Sequence, residues 1–141
     1  MMKRIYFVIF CMAVFAGCDE HEVSLPLEGS WELRSYQGGL LPGRTFEAGS
    51  GPVMKFTDSE YEHYVDGQLV KKGSYTVKSE KSFLNNRIMA RIIYDGDNNE
   101  MLKTFFEISG RTLTVYYAAP ISVDGLESVY KRQVSNGVTT N

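Results

Sequence analysis

Residues 60–78 read EYEHYVDGQLVKKGSYTVK. Asp66-Gly67 in the middle is a two-residue turn signal. Both central positions of such a hairpin turn need φ > 0, and Asp-Gly accepts this at little steric cost. The flanking arms, residues 60–65 and 68–78, are rich in Tyr and Val and show no 3.6-residue apolar period. The stretch therefore predicts two antiparallel strands joined by a tight turn. Gly73 inside the second arm predicts a bulge or a sharp bend.

Moving outward, the same pattern repeats almost to both ends. Upstream, residues 30–36 form a first strand, with Trp31, Leu33 and Ser35 on one face and Glu32, Arg34 and Tyr36 on the other. A long Gly-rich loop, residues 37–51, contains Leu40, Leu41 and Phe46. A second strand, residues 53–57, turns at Asp58-Ser59 into the hairpin. Downstream, a connection at 79–86 leads to strands at 87–94, 101–108, 111–117 and 126–134. Turns at Asp95-Gly96-Asp97-Asn98-Asn99 and Ser109-Gly110 and a loop at 118–125 separate them; residues 135–141 form a polar tail that should fray.

Eight short strands joined mainly by tight turns predict an all-β fold, an eight-stranded antiparallel up-and-down barrel. Closure removes the exposed edges that an open sheet would leave. The expected inward side chains are Trp31, Leu33, Met54, Phe56, Tyr75, Val77, Phe106, Ile108, Leu113 and Val115. A barrel of this size is just wide enough to be filled by side chains or to hold one small ligand. These residues are bulky, so the expectation is a mostly filled interior with a shallow pocket at one mouth. Phe105-Phe106 and Tyr116-Tyr117 place one aromatic on each face. The outer members are expected to be ordinary exposed residues rather than an interaction patch.

The N-terminus has a different character. Lys3 and Arg4 precede an uncharged run, residues 5–16, that is shorter than the roughly 20 residues of a membrane-spanning helix. It has the form of a secretory signal peptide. The run breaks off at Phe15-Ala16-Gly17-Cys18. That ending resembles a bacterial lipoprotein signal, although Phe15 stands where Leu is usual. The resemblance implies removal of residues 1–17 and attachment of diacylglycerol and an N-acyl chain to Cys18. Several acyl chains anchor a protein stably where one does not. Lys3 and Arg4 leave with the signal, so 13 of the 15 cations stand against 17 anions, a net −4. A mildly acidic chain without a Lys/Arg cluster is a poor nucleic-acid binder. Cys11 leaves with the signal and Cys18 takes up lipid, which leaves no disulfide, zinc or redox cysteine.

Three internal motifs extend the resemblance: the Gly-x-Trp of Leu27-Glu28-Gly29-Ser30-Trp31-Glu32-Leu33, Lys72-Gly73-Ser74-Tyr75-Thr76-Val77, and Tyr130-Lys131-Arg132 preceded by Asp124-Gly125. Over residues 27–134 the chain resembles the small lipocalin-like domains of Bacteroidetes lipoproteins. The resemblance implies that Trp31 closes one end of the barrel and that Arg132 packs over it as a structural pair. It also implies four segments: signal 1–17, lipidated Cys18 and polar tether 18–27, barrel 28–134 and tail 135–141. The domain is shorter than a full lipocalin and shows no helix before its last strand, which argues against a large cavity. Asp19-Glu20-His21-Glu22 resembles the surface-export signals of these lipoproteins. An outer-membrane, cell-surface location follows, with a periplasm-facing one as the alternative.

Catalytic signals are sparse. Catalysis needs a nucleophile, a base and an orienting group within reach of one another. His63 is the one histidine of residues 28–134, and there is no Gly-x-Ser-x-Gly elbow. Tyr61 and His63 share a face of their strand and could ligate haem iron; a lone strand histidine is more commonly a surface or satisfied residue. Asp95-x-Asp97-x-Asn99 begins like a calcium loop, but Glu100 and Phe106 stand where that loop needs Gly and Glu. The expectation is no enzyme, metal or cofactor beyond the covalent lipid. Two functions remain open. One is a small apolar or amphipathic ligand at a mouth formed by Leu40, Leu41, Phe46, Tyr61 and His63. The other is a filled barrel that binds a protein partner, as an accessory subunit or inhibitor.

Overall fold

The computed structural model describes residues 26–38, 42–119 and 122–134. The leader, Cys18, the acidic cluster, Leu40, Leu41 and the tail lie outside the described residues. The strands are β1 (Gly29–Gln37), β2 (Arg44–Thr45), β3 (Val53–Phe56), β4 (Glu60–Val65), β5 (Gln68–Lys81), β6 (Ile88–Tyr94), β7 (Lys103–Ser109), β8 (Thr112–Ala119) and β9 (Ser122–Arg132). All neighbours are antiparallel and, β2 apart, follow chain order, and β1 also pairs with β9, which closes the sheet. The protein is all-β, a closed eight-stranded up-and-down barrel compatible with a lipocalin-like fold. β2 is a two-residue addition against the second half of β1, inside what the sequence reads as a loop. The last strand starts at Ser122 rather than 126, because the β8–β9 ladder runs on to Ala119↔Ser122 past a register shift.

The hairpin turns follow from backbone chemistry. Asp66 and Gly67 take φ of 50° and 75°, and Asp95 and Gly96 take 54° and 72°. Gly73 marks a change of partner. Gln68–Ser74 of β5 pair with β4, whereas Tyr75–Lys81 pair with β6. A Cβ at Gly73 would overlap the Asp95 carboxylate, so the corner takes glycine. The change of partner also corrects the inner face. Past Ser74 no strand among the described residues pairs with the other edge of β5, and Val77 is 48 % exposed rather than core.

The interior is built from Trp31, Leu33, Phe56, Tyr61, Tyr75, Ile92, Phe106, Leu113, Val115 and Tyr130. Met54 and Ile108 pack against them, as does Tyr36, which the strict alternation of β1 would turn outward. The reason is a bulge. Leu33 faces Tyr130 and Ser35 faces Val129, so Arg34 is an extra residue that shifts the phase of the strand. Glu32 is buried as well; its carboxylate accepts hydrogen bonds from the N–H groups of Gly49 (2.5 Å) and Gly51 (3.1 Å), which ties the 42–51 segment to the wall.

Trp31 is fully buried in the core. Its Nε1–H donates to the Leu27 carbonyl at 2.7 Å, and the Arg132 guanidinium lies 4.2 Å from the ring centre. Arg132 also donates to the carbonyls of Glu28 (2.8 Å) and Pro26 (2.6 Å). Gly29 has φ of 129°, and any side chain there would strike this guanidinium. The spacing Gly-x-Trp thus follows from the placement of Arg132.

A second, smaller cluster lies on the outer wall. Phe105 is fully buried, a correction to the exposed outer aromatic expected from sequence. Met89 and Tyr116 flank it, and Phe83 from the β5–β6 connection packs on it edge to face, with centroids 5.8 Å apart. That connection folds back over the strand instead of standing in solvent.

Candidate functional site

The β6–β7 ladder is short, with partners Ala90↔Phe106, Arg91↔Phe105 and Ile92↔Thr104 only. Beyond it the strands are joined by residues 95–102. A pocket of about 510 Å³ opens here, facing the β4–β5 hairpin. Its wall includes Met54, Tyr61, His63, Lys71, Ile92, Tyr94, Asp95, Leu102, Thr104, Tyr117 and Tyr130. It reaches down to Ile92 and Tyr130, both buried, so it is deeper than the shallow mouth expected from the bulk of the inner residues. The bulk is unevenly spread: Trp31, Phe56, Tyr75 and Leu113 are in the core and take no part in this wall.

Each side chain is held by the strand geometry. Tyr61 and His63 sit two apart on β4 and share a face. Tyr61 faces Gly73, whose missing side chain leaves room for Asp95. The Tyr61 hydroxyl donates to Asp95 Oδ2 at 2.9 Å, and the Ser74 N–H donates to Oδ1 at 3.0 Å. Lys71 Nζ is 3.9 Å from Asp95 Oδ2 and 5.6 Å from the Tyr61 ring centre. Tyr94 meets Tyr61 edge to face, with centroids 4.7 Å apart. Burial pushes the Tyr94, Tyr117 and Tyr130 hydroxyls above the usual tyrosine range, so all three stay protonated. Burial, and then the Lys71 charge, lowers His63 below the ordinary imidazole value. It is a neutral imidazole at pH 7.

The mouth residues expected from sequence separate here. Tyr61 and His63 line the pocket. Phe46 does not: it packs on Tyr36 (centroids 6.3 Å apart) under Arg44, whose Cζ is 4.7 Å from its ring centre. Its N–H donates to the Arg34 carbonyl at 2.8 Å, and Arg34 Nε donates back to its own carbonyl at 3.1 Å. These bonds pin Phe46 against β1, away from the pocket. Lys71, Tyr94, Asp95, Tyr117 and Tyr130 escape sequence reading because they come from four different strands and a turn. Only the shared face of Ile92 and Tyr94 was available as a signal. Asp95 and Asp97 do not gather into a metal-binding group of three among the described residues.

The 95–102 segment is fastened by an ion-pair network. Arg91, almost wholly buried, donates to Glu80 (2.9 Å), Glu100 (3.3 Å) and the Asn99 carbonyl (2.8 Å). Lys103 pairs with Glu100 at 2.6 Å and with Glu80, which also meets Lys78 at 3.0 Å. Lys103 and then Arg91 hold the Glu80 carboxyl down at about 2, against an ordinary 4.5. A depressed carboxyl stabilises the fold above its unfolded value and loses that effect as pH falls toward its folded value. Stability should therefore drop between pH 4.5 and about 2. Glu80→Gln should flatten this acid limb in urea titrations at stepped pH; an unchanged limb would remove Glu80 from the network's energetics.

No protein-family model matches this chain, and no curated protein matches it.

Proposed function

We propose that this protein is a lipid-anchored, non-enzymatic binding protein that takes a small apolar or amphipathic molecule into the pocket between the β4–β5 hairpin and residues 95–102. The pocket carries the reading. At about 510 Å³ it falls in the roughly 300–1,000 Å³ range of small-molecule sites. Its wall sets an aromatic and aliphatic half (Met54, Ile92, Leu102 and four tyrosines) against a polar and charged half, which suits an amphipathic molecule. Trp31 and Arg132 serve the barrel's closure. Cys18 carries the lipid, and the acidic residues after it direct the protein to the outer face of the outer membrane. A second reading, a protein partner, draws on four exposed apolar residues: Leu69 and Val70 on β5, and Met101 and Leu102 beside the pocket.

The test is native mass spectrometry of the exported Cys18→Ser chain, purified without detergent. The expected result is a stoichiometric extra mass that fragmentation begins to identify. Bare protein, under conditions where a control lipocalin keeps its cargo, would overturn the ligand reading in favour of the partner. The same variant should fail to incorporate labelled fatty acid, whereas the unaltered chain takes it up.

A further inference from the structure

Among the described residues, the ionic groups of the pocket wall are paired except for Asp97. Lys71 stands against Asp95 at 3.9 Å, and Arg91 is neutralised by Glu80 at 2.9 Å and Glu100 at 3.3 Å. Asp95 is further occupied by Tyr61 and Ser74, and Asp97 adds another negative charge to the wall. His63 contributes a neutral ring. Residues 39–41 and 120–121, which interrupt the described chain, contain no Lys or Arg. Deeper in, the wall is Tyr94, Tyr117, Tyr130, Ile92 and Met54. Phenol hydroxyls can donate or accept a hydrogen bond, but they cannot neutralise a buried ion, and an unpaired ion in such a site is strongly disfavoured.

We infer that the pocket selects an uncharged ligand, one with an apolar body and a hydrogen-bonding atom to meet the tyrosine hydroxyls, and discriminates against anionic amphiphiles. This rests on the proposed ligand-binding function and narrows its ligand class. An anionic head would have to displace Asp95 from Lys71 and would face Asp97. A cationic head would lie beside Lys71.

The test uses two dyes that share one skeleton: neutral N-phenyl-1-naphthylamine, and its sulfonated counterpart 8-anilinonaphthalene-1-sulfonate. Both are titrated into the exported Cys18→Ser chain and followed by fluorescence. The neutral dye should bind at least about tenfold more tightly, since each tenfold corresponds to about 1.4 kcal/mol. Lys71→Ala should leave that preference in place. Leu102→Asp, at an exposed pocket residue, should weaken the neutral dye severalfold and so locate it. Equal binding of both dyes, with the sulfonate lost in Lys71→Ala, would overturn the selectivity and leave the ligand-binding function standing. Binding of neither dye, or neutral-dye binding indifferent to Leu102→Asp, would overturn both the selectivity and the assignment of this pocket.

Discussion

Trp31→Ala is expected to destabilise the barrel by about 4 kcal/mol, within the range for truncating a buried aromatic. The indole is fully buried and its Nε1–H serves the Leu27 carbonyl at 2.7 Å. Truncation opens a cavity in the core, orphans that carbonyl and leaves the Arg132 guanidinium above empty space. A fall in Tm on the order of 15 °C should accompany it. Because Trp31 is the only tryptophan, the transition is followed by far-ultraviolet circular dichroism rather than by its fluorescence. Trp31→Phe retains most of the packing and loses the hydrogen bond, so its cost should be well under half as large. An unchanged midpoint for Trp31→Ala would refute this role in the core.

The second large effect lies in the pocket wall, at Arg91. Arg91→Ala should cost about 2 kcal/mol, because it removes a nearly buried guanidinium with its hydrogen bonds, while Lys103 still faces Glu80 and Glu100. Its guanidinium is almost out of solvent and holds Glu80, Glu100 and the Asn99 carbonyl together. Losing it frees residues 95–102, so the neutral dye should also bind more weakly. Arg91→Met separates charge from bulk. Methionine keeps the packing of the arginine's apolar stem, so it should recover part of the stability while the 95–102 segment stays loosened. If alanine and methionine both melt like the parent in urea, the network carries no net stability.

Much of the fold was legible because local signals agreed. Asp66-Gly67 and Asp95-Gly96 demand φ > 0 and mark hairpins whatever surrounds them. The absence of a helical period excluded the alternative class. What failed did so for non-local reasons. Val77 obeys its strand's alternation yet is exposed, because β5 exchanges β4 for β6 at Gly73. Tyr36 breaks alternation yet packs inward, because Arg34 bulges. Phe105 faces outward yet is fully buried, because Phe83 returns from the preceding connection to cover it. Each depends on a neighbour remote in sequence or on one extra residue in a ladder. Neither leaves a mark in periodicity.

The pocket divides in the same way. Tyr61 and His63 could be placed on one face from their spacing alone, since successive strand side chains alternate. Their companions Lys71, Tyr94, Asp95, Tyr117 and Tyr130 could not, since closure of the sheet is what brings β4, β5, β6, β8 and β9 around one space. By itself the sequence determined the class of fold, its turns and most of its apolar faces, because these are set by backbone sterics and burial within a few residues. Only the tertiary structure decided where the interior stays open and how its charges pair. Those outcomes depend on the short β6–β7 ladder and on a glycine that makes room for a carboxylate from a strand away.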